Sequence, residues 1–444
     1  MPATPLIIGG ASGGTTMPRY SRAWYALAGL VLAWMAAALP AVADSVEVKR
    51  NAHVREQPTK ASTSLKIATV GMTFEILDDG QKRRGFYHID LGDGRDGWIY
   101  GALVERHADS PVSPALAAGD RVAVHFIDVD QGAAALVEFP CAAVLIDAGG
   151  RTDESVDDLL AYLAAFFSRR TDLHNRIETV FVTHTHLDHN RGLRRVAETY
   201  EIGGYVDNGE PSGSGRAAAR WIRTHANASG APLRIREIPD AEITAAGVDG
   251  LSDSIIDAAD CAGTNPTLKI LSGRQDDNPG WTDGAFDNGN NKSLVIRIDY
   301  GKSSFLFTGD LEEPAIETLV DYYAQTPALD VDVWAVGHHG SANGVTRSLL
   351  RAMTPEIAVM SMGDPATHEM WTAWAYGHPR RSAVELIDSL VSGAHAGPAN
   401  KSVADKVKSF SPYTVVHALY GTGWDGDVTV IGDATGQLTV MLGQ

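Results

Sequence analysis

The sequence predicts an α+β protein, a layered αββα sandwich with a site along one rim, preceded by a small all-β barrel. Three observations predict it. From residue 120 onward, short β-branched runs alternate with amphipathic stretches, the pattern of sheets covered by helices. The residues able to bind metal or move protons fall where those runs end, at positions 183–190, 309–310, 337–341 and 377–379. Chemistry-bearing side chains collected at strand ends define a rim. Before residue 108 the runs are short and broken by Gly, Asp and Lys/Arg turns, the rhythm of a small antiparallel barrel.

Residues 1–43 read as an export signal and not as part of the fold. Arg19 and Arg22 precede an apolar stretch over 23–39, which ends in Pro40-Ala41-Val42-Ala43 with a cut expected after Ala43. Met17 is a candidate start. A retained anchor is the rival reading, but the apolar stretch is short for a spanning helix. No later stretch is long and apolar enough to cross a bilayer, so a periplasmic or secreted protein is expected. The full chain carries a formal charge of −18. Losing two arginines and no acid leaves 35 basic against 55 acidic side chains, net −20. Such a field argues against tight non-specific nucleic-acid binding. Cys141 and Cys261 could pair in an oxidising compartment, and nothing in the local sequence shows whether they meet.

The first module covers 45–108, with strands expected over 65–70, 74–77, 87–90 and 97–100. Its start, His53-Val54-Arg55-Glu56-Gln57-Pro58, and its end, Gly94-Arg95-Asp96-Gly97-Trp98-Ile99, resemble bacterial SH3-like domains. His53 stands where those domains usually carry Asn. The resemblance implies binding of a cell-wall peptide or glycan through residues 45–108. A Pro-containing linker follows over 109–119.

The second domain, 120–444, is read as strands over 122–129, 134–139 and 142–146, then a helix over 153–168 with acidic first turn and basic end. A strand over 179–183 feeds the His-rich loop, and a helix follows over 193–200. The stretch 203–289 is weakly patterned, with helices expected near 217–225 and 253–260. Pattern returns with strands over 293–300 and 304–308, a helix over 314–323 and a strand over 331–336. A helix over 345–353, a strand over 357–362 and closing strands over 415–419, 427–431 and 437–441 complete it.

The chemistry centres on Thr183-His184-Thr185-His186-Leu187-Asp188-His189-Asn190, three imidazoles and a carboxylate within six positions. Neutral His nitrogens and Asp oxygens are what a divalent metal accepts. Further motifs follow in order: Phe126-Ile127-Asp128-Val129-Asp130-Gln131-Gly132, Leu145-Ile146-Asp147-Ala148-Gly149, Asn290-Asn291-Lys292-Ser293 with Thr308-Gly309-Asp310, His338-His339-Gly340-Ser341, and Gly377-His378-Pro379. Together these resemble the metallo-β-lactamase superfamily, specifically hydrolase domains related to the competence protein ComEC. Asp130 and Ala133 depart from the family's Gly and Asp, and 287–293 lacks the His that many members carry before the TGD strand. His225, the only His between the clusters, is expected on a helix surface.

The resemblance, with charge and reach, implies roles. His184 and His186 are expected on one metal, Asp188 and His189 on the other, Asp310 as bridge and His378 completing the second site. Of His338 and His339, one could be a ligand and the other a proton donor to a leaving oxygen. Asp147 is expected to orient the His loop. Asn290, Ser293, Ser341 and Arg380 are expected to contact substrate. Two divalent ions, Zn2+ or alternatively Mn2+, would activate water for attack. The expected function is an exported binuclear hydrolase of phosphoester or phosphodiester bonds, acting on small or nucleotide-sized substrates. Its rivals are hydrolysis of an amide, lactone or thioester, and a catalytically silent wall-binding protein with a structural metal.

Overall fold

A computed structural model describes residues 45–60, 62–77, 82–92, 94–107, 120–224, 230 and 232–443. The expected signal segment, the whole linker and His225 lie outside the described residues.

The first module is all-β. A three-stranded sheet orders Thr73–Glu75, Ser45–Val48 and Val104–His107, and a four-stranded sheet orders Ser64–Ala68, Ala52–Arg55, Asp96–Tyr100 and Phe86–Asp90. Val46, Val48, Val54, Ile89 and Ile99 are buried between them. Gly97 is required there, because a Cβ at that position would lie 2.6 Å from Val54. The strands over 45–48, 52–55 and 104–107 were not expected. They are four residues each, too short for alternation to stand out.

The second part is a sandwich of two sheets. One has eight strands, in the order Arg234–Glu237, Glu201–Asp207, Arg176–Phe181, Ala143–Ala148, Ala134–Glu138, Arg121–Phe126, Val428–Asp433 and Leu438–Leu442. The other has six, in the order Thr267–Ser272, Val295–Tyr300, Ser303–Phe307, Val333–Ala335, Ile357–Met360 and Leu419–Gly421. Alternation within a strand builds two cores. Val144 and Ile146 enter the core between the sheets, while Ala143 and Leu145 pack under the helix Asp153–Arg169 through Leu159, Leu163 and Phe166. Central strands covered on both faces read as continuous apolar runs, as the sequence does here. Helices Glu313–Tyr323, Arg347–Met353 and Arg381–Asp388 cover the second sheet through Ile316, Leu319, Leu349, Leu350, Val384 and Ile387.

The differences from expectation have local causes. Residues 253–260 form turns and no helix. Asp253 accepts the N–H groups of Ile255 and Ile256, its carboxylate is held by Arg236, and the carbonyl of Ile255 is taken by Thr179. Side-chain acceptors thus displace the helical pattern. The strand expected over 415–419 divides. Ser409–His417 pairs with Ala394–Lys406 in a separate hairpin, and Leu419–Gly421 joins the six-stranded sheet. Asp388 accepts the N–H groups of Val416 and His417 at the changeover. Cys141 and Cys261 are joined in a disulfide. The first module does not stand apart in charge. Lys82 is close enough to Asp158 and Asp128 for their charges to raise its pKa, after the larger effect of Tyr87.

Candidate metal centre

The strand Arg176–Phe181 ends in the loop that carries His184, His186, Asp188 and His189. Its position is fixed by backbone approach. Gly149 lies against the carbonyl of Asp188, where a Cβ would come within 1.7 Å, and the N–H of Ala133 donates to the same carbonyl at 2.8 Å. Asp147 sits behind the loop with φ 59° and accepts from the Thr183 N–H at 2.8 Å. Its other oxygen lies 2.7 Å from His189 Nδ1, which leaves Nε2 of that ring facing the site. Asp147 thus stands where the sequence puts an orienting group.

Asp310 arrives from the turn after Ser303–Phe307. His189 Nε2 lies 3.2 Å from one of its oxygens, while His184 Nε2, His338 Nε2 and His339 Nε2 lie 4.0, 3.9 and 3.5 Å from the other. His339 Nε2 is also 3.5 Å from Asp188. Its Nδ1 meets the carbonyl of Ser361 at 2.7 Å, which sets the ring. Asp188, His189, Asp310 and His339 offer ligand atoms all within 4.8 Å of one another. His186 approaches this set through His184, with 3.0 Å between His184 Nε2 and His186 Nδ1.

The sequence puts His378 at the second metal. Its ring packs 6.3 Å from His339 and 5.8 Å from His338, and its Nδ1 is buried without a hydrogen-bond partner. The cluster whose ligand atoms lie within 4.8 Å of one another includes His339 and not His378. His338 and His339 both take left-handed conformations, φ 49° and 52°. Ser293, expected to contact substrate, is fully buried and accepts the Asp310 N–H at 3.1 Å, so it braces the turn that carries Asp310. Asn290 faces the site, with Nδ2 3.1 Å from Glu312 and 3.5 Å from His338 Nε2. Ser341 donates to Asn343 at 2.5 Å. Arg380 is half-buried behind His378, and Arg381 is engaged by Asp405 and Ser411.

The electrostatics are those of a site built around positive charge. Burial alone would raise Asp310, but His189, His339 and His338 hold its pKa well below the usual carboxylate range. Asp188 is lowered too, with burial opposed by His339 and His189. Burial disfavours charge on His339, yet Asp310 and Asp188 lift its pKa to about 10. Asp310 and Asp147 raise His189 well above the ordinary imidazole value against the same burial. His184 is pushed well down, first by burial and then by His189, and His378 is pushed down to about 3 by burial and its two His neighbours.

The residues fit a divalent metal. His189 Nε2 and His339 Nε2 are buried, aimed at two carboxylates and without a hydrogen-bond partner. An unsatisfied buried nitrogen is costly, and two of them facing Asp188 and Asp310 call for a cation. Nitrogen and carboxylate oxygen ligands suit Zn2+ and related ions.

A two-sheet sandwich with a His/Asp cluster at the rim is a recognised class. Residues 127–364, more than half of the chain, match the metallo-beta-lactamase superfamily, and the chain belongs to it. Within that class it is similar to competence proteins of the ComEC type. It is 34% identical to competence protein ComA of Neisseria gonorrhoeae over 105 residues, 24% of this chain and 15% of that protein. It is 30% identical to ComE operon protein 3 of Bacillus subtilis over 98 residues, 22% of this chain and 11% of that protein. Recombination protein 2 of Haemophilus influenzae is 36% identical over 89 residues, 20% of this chain and 10% of that protein. The matches thus span a small part of each relative. Among solved structures, CmlA, a diiron β-hydroxylase from Streptomyces venezuelae, is 15% identical with TM-score 0.36, covering 66% of this chain and 52% of its own. YhfI of Bacillus subtilis, a metallo-beta-lactamase fold protein, is 11% identical with TM-score 0.28, covering 49% and 70%. At these scores the superpositions add nothing to the family assignment.

Sequence reading missed the Ser361 carbonyl behind His339, because any residue supplies it. It also passed over Trp371 and Tyr376, although a run of aromatics over 371–376 is visible in the sequence.

Proposed function

We propose that the chain is an exported, binuclear, metal-dependent hydrolase of phosphodiester bonds. The observation that carries this reading is the central place of Asp310, which is within 4.0 Å of imidazoles from both halves of the cluster. One ion would be held by His184, His186 and Asp310, the other by Asp188, His189, Asp310 and His339. Zn2+ is the expected ion and Mn2+ the alternative. Such a pair supplies an activated water and polarises the two oxygens of an in-line displacement at phosphorus.

The remaining steps belong to the chain. Asp147 and the Ser361 carbonyl keep His189 and His339 with Nε2 inward. Asn290 meets substrate oxygens with its amide. His338, on the more open side between Asn290 and Glu312, delivers a proton to the leaving oxygen from Nε2. Phe126, Phe307 and Val336 wall a small cavity beneath His189 and His339 and keep the inner side apolar.

Relatives named for competence and recombination agree with a nucleotide-type ester. The disulfide agrees with an oxidising compartment, and the expected signal with export. Among the described residues no helix is long and apolar enough to cross a membrane. The module over 45–108 is read as an SH3-like targeting domain for cell-wall peptide or glycan. The test is the purified protein assayed on phosphomonoester, phosphodiester, lactam, lactone and thioester substrates, with elemental analysis of the same sample. Phosphodiester turnover with one to two transition-metal ions per chain is expected. Lactam turnover without phosphodiesterase activity, or no transition metal, would overturn the reading.

A further inference from the structure

The loop between Ile357–Met360 and the helix Arg381–Asp388 carries aromatic side chains for which the metal chemistry has no use. Trp371 is 65% exposed and adds nothing to the core. It also has φ 63°, the left-handed region, where a bulky side chain is strained. The backbone around it is held. Thr372 is buried, donates to the Glu369 carbonyl and accepts the Ala375 N–H at the start of the helical turn Ala373–Tyr376. A strained, exposed Trp on a held loop is not explained by stability.

Its ring begins a row that ends at the metal ligands. Trp371 stands 6.2 Å from Tyr376, which stacks on His378 at 5.7 Å and 21°. His378 is 5.8 Å from His338, and His338 Nε2 is 3.9 Å from Asp310. Beside the row, Lys408 lies 5.1 Å over Trp374, which stacks on His368 at 4.8 Å. His368 opens onto a groove of about 390 Å³ lined also by Lys401, Phe410 and Trp424.

We propose that Trp371 and Tyr376 form a stacking platform for a nucleobase next to the scissile phosphodiester. The substrate is then a nucleotide ester or a single strand, whose bases are free to leave their neighbours. This rests on the phosphodiesterase reading above. Every base has a π-face, so the platform selects for a planar ring and not for a sequence. Lys408, over Trp374 in the same aromatic run, supplies positive charge in a strongly acidic chain. Bases within a duplex are already stacked and cannot reach the row.

The test compares thymidine 5′-(p-nitrophenyl) phosphate with methyl p-nitrophenyl phosphate, which share a leaving group and differ in the ring. Wild type should favour the thymidine ester. In Trp371→Ala the ratio of the two kcat/KM values should fall about tenfold, mainly through KM, and Trp371→Phe should restore most of it. Calorimetric titration of metal-depleted protein provides a readout without turnover. Thymidylyl-thymidine should bind wild type and bind about tenfold more weakly to Trp371→Ala. An unchanged ratio with hydrolysis intact overturns the platform and leaves the phosphodiesterase reading standing. Trp371-dependent binding in a protein that cleaves no phosphodiester upholds the platform and sinks that reading.

Discussion

Asp147 shows how much of this site depends on a residue that need never touch substrate. Its carboxylate holds the Thr183 backbone, the Thr183 hydroxyl and His189 Nδ1 at once. Replacing it with Ala should lower metal affinity about 10–100-fold, as loss of an orienting carboxylate does elsewhere. Zn2+ titration against a competing chelator would show it, and unchanged affinity would mean that the His loop holds itself. The two histidines of the HHGS loop should separate. His339→Ala should lose bound metal. His338→Ala should keep it and slow alkyl phosphodiesters far more than p-nitrophenyl esters, with a gap of about 10²–10⁴. Equal losses on both leaving groups would make His338 a ligand instead. The identities of all these residues were legible in the sequence, because the motifs are short and chemically distinctive. The relative placement of the His338, His339 and His378 rings was not. It depends on two adjacent left-handed residues, a backbone choice that leaves no mark on residue type.

At the scale of elements, the central strands are held by a buried ionic network as well as by apolar packing. Glu138, on Ala134–Glu138, meets Arg170 at 2.6 Å and His125 at 3.2 Å, with His125 also contacting Tyr162 at 2.9 Å. Burial would raise the Glu138 pKa, but His125 and Arg170 outweigh it and hold it below the ordinary value. A depressed carboxylate contributes stability that is fully present above its unfolded pKa and lost as pH falls through the folded one. Glu138→Gln should therefore cost about 3 kcal/mol at pH 7, since it leaves Arg170 without its buried partner. The gap from wild type in urea melts should narrow as pH falls below about 4.3, the ordinary Glu pKa. A constant gap across that range would remove Glu138 as its source. Element by element, the sequence marked strands such as Ala143–Ala148, whose two faces are both covered. It gave no warning of the hairpin Ala394–Lys406 with Ser409–His417, whose second strand alternates mostly between half-buried and exposed positions. A surface hairpin has too little apolar contrast to show a period.

For the whole molecule, the question is what the first module adds to a domain that already holds all of the candidate metal-binding residues. Its contact with the sandwich is electrostatic at least in part. The charges of Asp158 and Asp128 reach Lys82, and that of Arg106 reaches Asp158 and Asp427. This leaves the opposite question of an outward face. Ile67, in the strand Ser64–Ala68, and Val70 and Met72, at the turn that follows it, are 57, 61 and 37% exposed. Three large exposed apolar side chains within six residues make this end of the module the candidate binding surface, since exposed apolar patches are a usual mark of one. Under the proposed export, that patch and not a general electrostatic attraction would carry contact of this acidic chain with the wall. The full chain should sediment with purified cell walls, and a chain lacking 45–108 should remain in the supernatant. Ile67→Asp with Val70→Asp should reduce sedimentation about tenfold while the thermal unfolding midpoint stays near wild type, because both sites are exposed. Binding that survives in the shortened chain would move wall contact to the sandwich. Binding that is lost with the module but survives the double substitution would move it to another face of the same module.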